Sequence, residues 1–234
     1  TVRVIHNEPR TDRTEFEVST RGETTDHSDG TSYGVDTVIN LPLGENVAWR
    51  MSAGYEDEAG FIDATRAVLY DRNMQPILPP GADPLTSGYV TGSIKDVDTS
   101  SSWYVRNALS WKISDRLSAE LAYHHERDKS DSMSAQTPGD PQYTVSTPVP
   151  VQPMDRKVDM ASLTVTADAG FATLTSSTSW YKNAYTDRWD QSAFELYINN
   201  APYYYGGYPR VTAINYDDSS DRSFVQEFRL VSNT

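Results

Sequence analysis

Apolar and polar side chains alternate along the chain with a period of two. In Val47-Ala48-Trp49-Arg50-Met51-Ser52-Ala53-Gly54-Tyr55 every odd position is apolar or aromatic and every even one small or polar. Such alternation predicts a β-strand with one apolar face. Residues 102–113 repeat it, with Trp103, Val105, Leu109, Trp111 and Ile113 on one side and Tyr104, Arg106, Ala108, Ser110 and Lys112 on the other. Leu117, Ala119, Leu121 and Tyr123 carry it on against Ser118, Glu120 and His124. Weaker alternations lie at 15–20 (Phe16, Val18), 33–41 (Tyr33, Val35, Ile39, Leu41), 161–167 (Leu163, Val165), 172–181 (Leu174, Trp180) and 224–230. The pattern predicts an all-β chain of about eight strands.

The connections alternate as well. Short turns are predicted at 42–46, 114–116 and 168–170, and longer loops near 24–30 and at 56–101, 127–157 and 183–221. Structureless loops beyond about 12–15 residues are uncommon in compact domains. An antiparallel up-and-down meander places every second connection at the same end, so the long loops share one end of the sheet. Short turns at one rim and long loops at the other is the plan of a transmembrane outer-membrane β-barrel, with periplasmic turns and extracellular loops. Trp and Tyr near strand ends suit its interfacial girdles, and Arg50, Arg106, Lys112, Glu120 and Glu126 suit a watery lumen. A soluble sandwich with those charges facing solvent satisfies the same alternation.

Composition narrows the choice. The chain has 234 residues with 33 Asp+Glu against 20 Lys+Arg, a formal net charge of −13, which makes nucleic acid an unsuitable partner. Its hydrophobic fraction of 37% is low for a globular domain, yet aromatics reach 11%, which argues against generic disorder. No Cys is present, so thiolate nucleophiles, disulfides and Cys-ligated metal sites are excluded. No run approaches the roughly 18 apolar residues of a membrane-spanning helix. Any crossing of a membrane falls to strands.

Four segments, in order, resemble the TonB-dependent receptors, plugged outer-membrane transporters of Gram-negative bacteria. Thr1-Val2-Arg3-Val4-Ile5-His6-Asn7-Glu8-Pro9 resembles the last strand of the family's plug, a Gly-x-Ile-x-x-Ile-x-x-x-Pro-like run whose leading Gly is not present here. Asn40-Leu41-Pro42-Leu43 with Ala48-Trp49-Arg50 resembles the first periplasmic turn, and Gly60-Phe61-Ile62-Asp63 the start of the long loop after the third barrel strand. Phe224-Val225-Gln226-Glu227-Phe228-Arg229-Leu230-Val231-Ser232 resembles the family's Gln-Glu-x-Arg-Leu-x-Ser strand. The resemblance implies the end of a plug and its junction over 1–13 and a partial β-barrel over 14–234, a portion of a longer receptor whose barrel has about 22 strands. It further implies a place in the bacterial outer membrane, contact with its lipid, and energy-coupled uptake of a ferric siderophore or other small nutrient. Coupling to the TonB complex would run through an N-terminal part that these residues lack. No cofactor is expected.

The densest binding chemistry is Tyr203, Tyr204, Tyr205, Tyr208 and Arg210 in the 183–221 loop, near Tyr185, Arg188 and Trp189. Tyr and Trp offer rigid amphipathic contact area, and Arg offers charge-assisted bonds to a carboxylate or catecholate. Packing of the loop on itself, or an aromatic girdle, explains the same rings. His124-His125 place their side chains on opposite faces of a strand and cannot share a metal. Asp26-His27-Ser28-Asp29-Gly30 lacks the spacing and closing Glu of a calcium loop. The Pro-rich runs at 75–81 and 148–153 read as extended loop segments. Catalytic signatures such as a Gly-x-Ser-x-Gly elbow or a Gly-rich phosphate loop are absent, and Glu56-Asp57-Glu58 and Asp217-Asp218 fall in expected loops, so an enzyme is not expected. Two alternatives stay open: a small outer-membrane barrel serving as adhesin or structural protein, and a secreted β-sheet enzyme acting on polysaccharide.

Overall fold

The computed structural model describes residues 6–73, 75–83, 87–199 and 212–233. Eight strands form one antiparallel meander: β1 (Glu15–Glu23), β2 (Ser32–Pro42), β3 (Val47–Glu58), β6 (Ser100–Ser114), β7 (Leu117–Ser130), β9 (Met154–Asp168), β10 (Ala172–Asp190) and β11 (Ile214–Ser232). Each pairs with its neighbour in that order, so β1 and β11 are the two edges and the sheet is not closed. Three strands that alternation did not predict, β4 (Asp63–Val68), β5 (Thr91–Ile94) and β8 (Thr144–Val145), make a small second sheet ordered β5-β4-β8. A helix, α1 (Ser192–Asn199), follows β10.

The register sorts side chains onto two faces. One carries Phe16, Val18, Val35, Ile39, Met51, Tyr55, Trp103, Leu109, Trp111, Leu121, Tyr123, Leu163, Leu174, Trp180, Phe224, Phe228 and Leu230. The other carries Asn40, Arg50, Arg106, Glu120, Glu126, Arg156, Asn183 and Asp221. Burial is greater on the polar face than on the apolar one. Leu121 is 52% exposed while its neighbour Ala122 is 9% exposed, and Trp111 is 50% exposed while Arg50 is 9% exposed. Ser32, Asn40, Ala48, Arg50, Ala108, Ala122 and Val158 are all buried, and all belong to the polar face.

The strands run further than alternation indicates. β10 continues to Asp190 and β11 begins at Ile214, so Tyr185, Arg188, Trp189, Asp217 and Asp218 are strand residues rather than parts of a 183–221 loop. Likewise β3 includes Glu56, Asp57 and Glu58, and β7 reaches Ser130. Beyond the apolar rows both faces are polar, so the period of two vanishes while the backbone ladder persists.

The connections at one end are short, at 43–46, 115–116 and 169–171; those at the other are 24–31, 59–99, 131–153 and 191–213. Gly170 at φ +86° closes one short turn in the left-handed region that Gly adopts without penalty, its N–H donating to Asp168 Oδ1 at 2.7 Å. The 59–99 and 131–153 connections are folded onto each other. β4 pairs in parallel with β8, Asp63 N–H donates to Tyr143 O at 2.9 Å, and Val68 N–H donates to Pro148 O at 3.0 Å. Ile62, Ala64, Ala67 and Val97 form a buried cluster there, flanked by Phe61, Tyr143 and Val145.

Candidate functional site

Two regions gather polar chemistry. The first is the polar face near the short-turn end, where residues 6–13 lie before β1 enters the sheet. Asn40, fully buried, holds this segment: its Oδ1 accepts from Arg10 N–H at 2.8 Å, and its Nδ2 donates to Arg10 O at 2.8 Å and Arg13 O at 2.7 Å. Ser110 Oγ donates to Pro9 O at 3.3 Å. A cavity lined by Glu8, Ser110, Lys112, Glu120, Thr164 and Thr166 lies beside it. Arg50 pairs with Glu15 at 2.7 Å and Arg106 with Glu120 at 3.7 Å, so two enclosed guanidiniums each meet a carboxylate. Outside the strands, Arg10 grips Asp12 at 2.7 Å and holds its carboxyl below the usual range.

The same face carries a second polar network toward the long-loop end. Tyr104 donates to Asp36 Oδ1 at 2.8 Å, across Gly54, where a Cβ would lie 2.4 Å from the Tyr104 ring. Arg21 bridges Glu56 and Glu58, and Arg156 lies 3.6 Å from Asp128. These carboxylates are partnered by arginine or tyrosine along the sheet, and no group of three or more metal-ligating side chains is assembled among the described residues.

The second region is the cap made by the long connections. Asp98 is buried, and its Oδ1 accepts from the N–H groups of Phe61 and Ile62 at 2.7 and 2.9 Å. Gly60 sits so close that a Cβ would lie 2.6 Å from Asp96 O, which requires glycine at the start of this connection. Lys95 pairs with Asp29 at 2.6 Å, which holds its ammonium above the ordinary lysine value and ties 24–31 to the cap. The His27 and Tyr143 rings stand 4.4 Å apart. His27, Asp96 and Tyr143, the non-glycine residues with positive φ among those described, all belong to this cap. Such conformations cost of order 1–3 kcal/mol each and persist only where surrounding contacts hold them.

Asp190 joins the cap to β10. Its carboxylate accepts from Thr147 Oγ1, from Val149 N–H at 3.2 Å and from Ser192 N–H at 2.8 Å. Burial pushes the nearby Tyr70 phenol up from its ordinary value.

The expected ligand residues do not converge. Tyr185 and Trp189 share the polar face of β10, Tyr185 with its hydroxyl 3.4 Å from Asp217 Oδ2. Arg188 lies on the opposite face, its guanidinium 5.7 Å from the centre of the Tyr216 ring. The expectation of one binding loop containing all three is corrected by the length of β10: strand geometry sends adjacent residues to opposite sides. Tyr203, Tyr204, Tyr205, Tyr208 and Arg210 lie outside the described residues. Sequence reading did not find Asn40 or Asp98. Asn40 takes the ordinary polar position between Ile39 and Leu41 and gives no separate signal, whereas Asp98 sits in a stretch without periodicity.

Compared with protein-family models, curated proteins and solved structures, the chain finds no match.

Proposed function

We propose that this chain is part of the wall and entrance of a TonB-dependent outer-membrane receptor, taking up a ferric siderophore or another small nutrient by energy-coupled transport. The observation that carries the reading is the inverted partition of side chains: an exposed apolar face and an enclosed charged one. In water that partition leaves large apolar area unburied on every strand. Facing lipid, the same partition is the stable one, because the apolar side chains meet hydrocarbon and the charged ones line a wet interior. Apolar positions on β3 extend over 47–55, which at about 3.4 Å per residue and a tilt of about 40° spans roughly 20–25 Å, close to the apolar band of a barrel.

Three further features support it. Residues 6–13 lie on the polar face, where the end of a plug would meet the inner wall. The long connections gather at one end as a folded cap that would shape an external entrance. Tyr123 and Trp180 stand at the border of the apolar rows, as interfacial aromatic residues do. A closed eight-stranded barrel is the poorer reading, since β1 and β11 are edges instead of partners.

The test is uptake by intact cells. Radio-iron supplied as hydroxamate and catecholate chelates, and labelled cobalamin, are offered to cells with and without this protein, before and after collapse of the proton-motive force. Expected is accumulation of one probe that requires both the protein and the energised membrane. Recovery of the protein in the soluble fraction, or uptake of every probe indifferent to it, overturns the reading.

A further inference from the structure

The apolar face changes character toward the long-loop end. Beyond the row Tyr123, Ala161, Trp180 and Phe224 comes a row of His125, Asp159, Lys182 and Arg222, and beyond that one of Arg127, Lys157, Ala184 and Ser220. Lys129 stands in the next row, beside Asp155. In a chain of net charge −13 this is an unusual place to collect cations. The opposite side of the same stretch holds Glu126, Asp128, Asp187, Asp217 and Asp221 against Arg156. The outward rows therefore carry a cation excess, Arg127, Lys129, Lys157, Lys182 and Arg222 against Asp155, Asp159 and Asp218, while the inward side carries an excess of acid.

Two of these rows set like charges directly across a strand pair: Lys182 opposite Arg222, and Arg127 opposite Lys157. Like charges so placed repel and weaken the pairing. Carboxylates relieve only part of this. Asp155 accepts from Arg127 Nε at 2.9 Å, and Asp159 is taken by His125 and Tyr123, both at 2.7 Å. The ion pairs among the described residues include none of Lys129, Lys157, Lys182 and Arg222. Lys129, Lys157 and Arg222 are exposed. Neighbouring strands stand about 4.8 Å apart and alternate residues of one strand about 7 Å apart, so an anionic oxygen cluster set between two rows reaches several of these cations at once.

We propose that this surface binds the phosphate groups of lipid headgroups in the leaflet at the long-loop end. The inference rests on the membrane-spanning reading above, which puts these rows at headgroup height, one step past the aromatic border. Phosphate supplies the missing counter-charge, with Arg222 donating paired N–H bonds and Lys129, Lys157 and Lys182 acting as compact point charges. Continuity with the apolar rows selects a lipid over a soluble anion: acyl chains lie along Leu121, Leu163 and Trp180 while the headgroup meets the cations.

The test uses the full chain, first inserted into phosphatidylcholine vesicles and then held in mixed micelles with bisphosphorylated lipid A, with the same lipid enzymatically dephosphorylated, or with inorganic phosphate. Retained lipid is counted by native mass spectrometry. Expected is retention of the bisphosphorylated form, weakened on the order of tenfold by dephosphorylation and by the double substitution Lys182→Gln with Arg222→Gln, and unchanged by Arg156→Gln on the other face. Equal retention of the two lipids, with insertion into phosphatidylcholine intact, overturns this proposal and leaves the membrane reading standing. Displacement of the lipid by an equal concentration of inorganic phosphate also overturns it, in favour of a soluble-anion site. Failure to insert into any vesicle overturns the membrane reading itself. Where the double variant does not fold, the comparison of the two lipids on the unaltered chain decides.

Discussion

Asn40 does at one position what an extended hydrogen-bond ladder does along a strand. It is fully buried, and its side-chain amide meets the backbone of Arg10 and Arg13, thirty and twenty-seven residues away, through three bonds. Asn40→Leu keeps the branched side-chain shape and removes all three, stranding an N–H and two carbonyls. At about 1 kcal/mol per bond, plus the cost of groups left unpaired, the loss should be about 2–4 kcal/mol. Faster trypsin cleavage after Arg10 and Arg13, with a lower unfolding temperature, checks it. Asn40→Asp keeps the acceptor but sets a carboxylate oxygen against the two carbonyls that Nδ2 served, in a buried site, and should cost at least as much. Arg50 and Glu15 pose the matching problem for charge. Glu15→Gln leaves an enclosed guanidinium without its carboxylate and should lower stability, whereas adding Arg50→Met to it should restore much of the loss. A double-mutant cycle on unfolding free energy measures the coupling. Neither role was visible in the residues alone. A single Asn between Ile39 and Leu41 fits a lining position as well as an anchor, and its partners lie too far away in the chain for any spacing rule.

At the scale of elements, alternation found the strands wherever one face is apolar and lost them wherever both faces are polar. Val47 to Tyr55 and Leu117 to Tyr123 were legible for that reason; residues 127–130, 154–160, 183–190 and 214–223 were not, although the ladder passes through them without a break. The cap was illegible for a different reason. β4, β5 and β8 are short, and β4 pairs with a strand from another connection, so no local pattern announces it. Its stability depends on a few fitted contacts, chief among them Gly60 against Asp96 and Asp98. Gly60→Ala places a methyl group 2.6 Å from a backbone carbonyl, which cannot swing aside as a side-chain end can. A penalty of about 1–3 kcal/mol is expected, confined to the cap. Hydrogen exchange should rise at Ile62, Asp63 and Val97 and stay unchanged in β6 and β7; a uniform rise across the main sheet would contradict a separately held cap.

For the whole molecule the question is which medium the sheet is built for, and the two faces give opposite answers to the same substitution. Leu163 lies in the middle of the apolar rows, opposite Leu121 on β7 and Thr178 on β10. Thr164, the next residue, lies on the polar face opposite Glu120, and its hydroxyl is 3.4 Å from Ser177 Oγ. In a sheet built for water, arginine at the 42% exposed Leu163 would be nearly silent and could even help solubility. In a sheet built for lipid, Leu163→Arg places a charge near mid-membrane and should cost about 2–4 kcal/mol, while Thr164→Arg gains Glu120 as a partner and should stay within about 1 kcal/mol. The comparison is internal: both variants add the same side chain, one residue apart on one strand, and differ only in the face they enter. Unfolding from phosphatidylcholine vesicles, followed by tryptophan fluorescence against urea, reads the difference. A larger loss for Leu163→Arg by more than about 1 kcal/mol supports lipid as the solvent of that face. Equal losses, or a larger loss for Thr164→Arg, assign the apolar face to water or to a protein partner, and then the uptake reading falls with it.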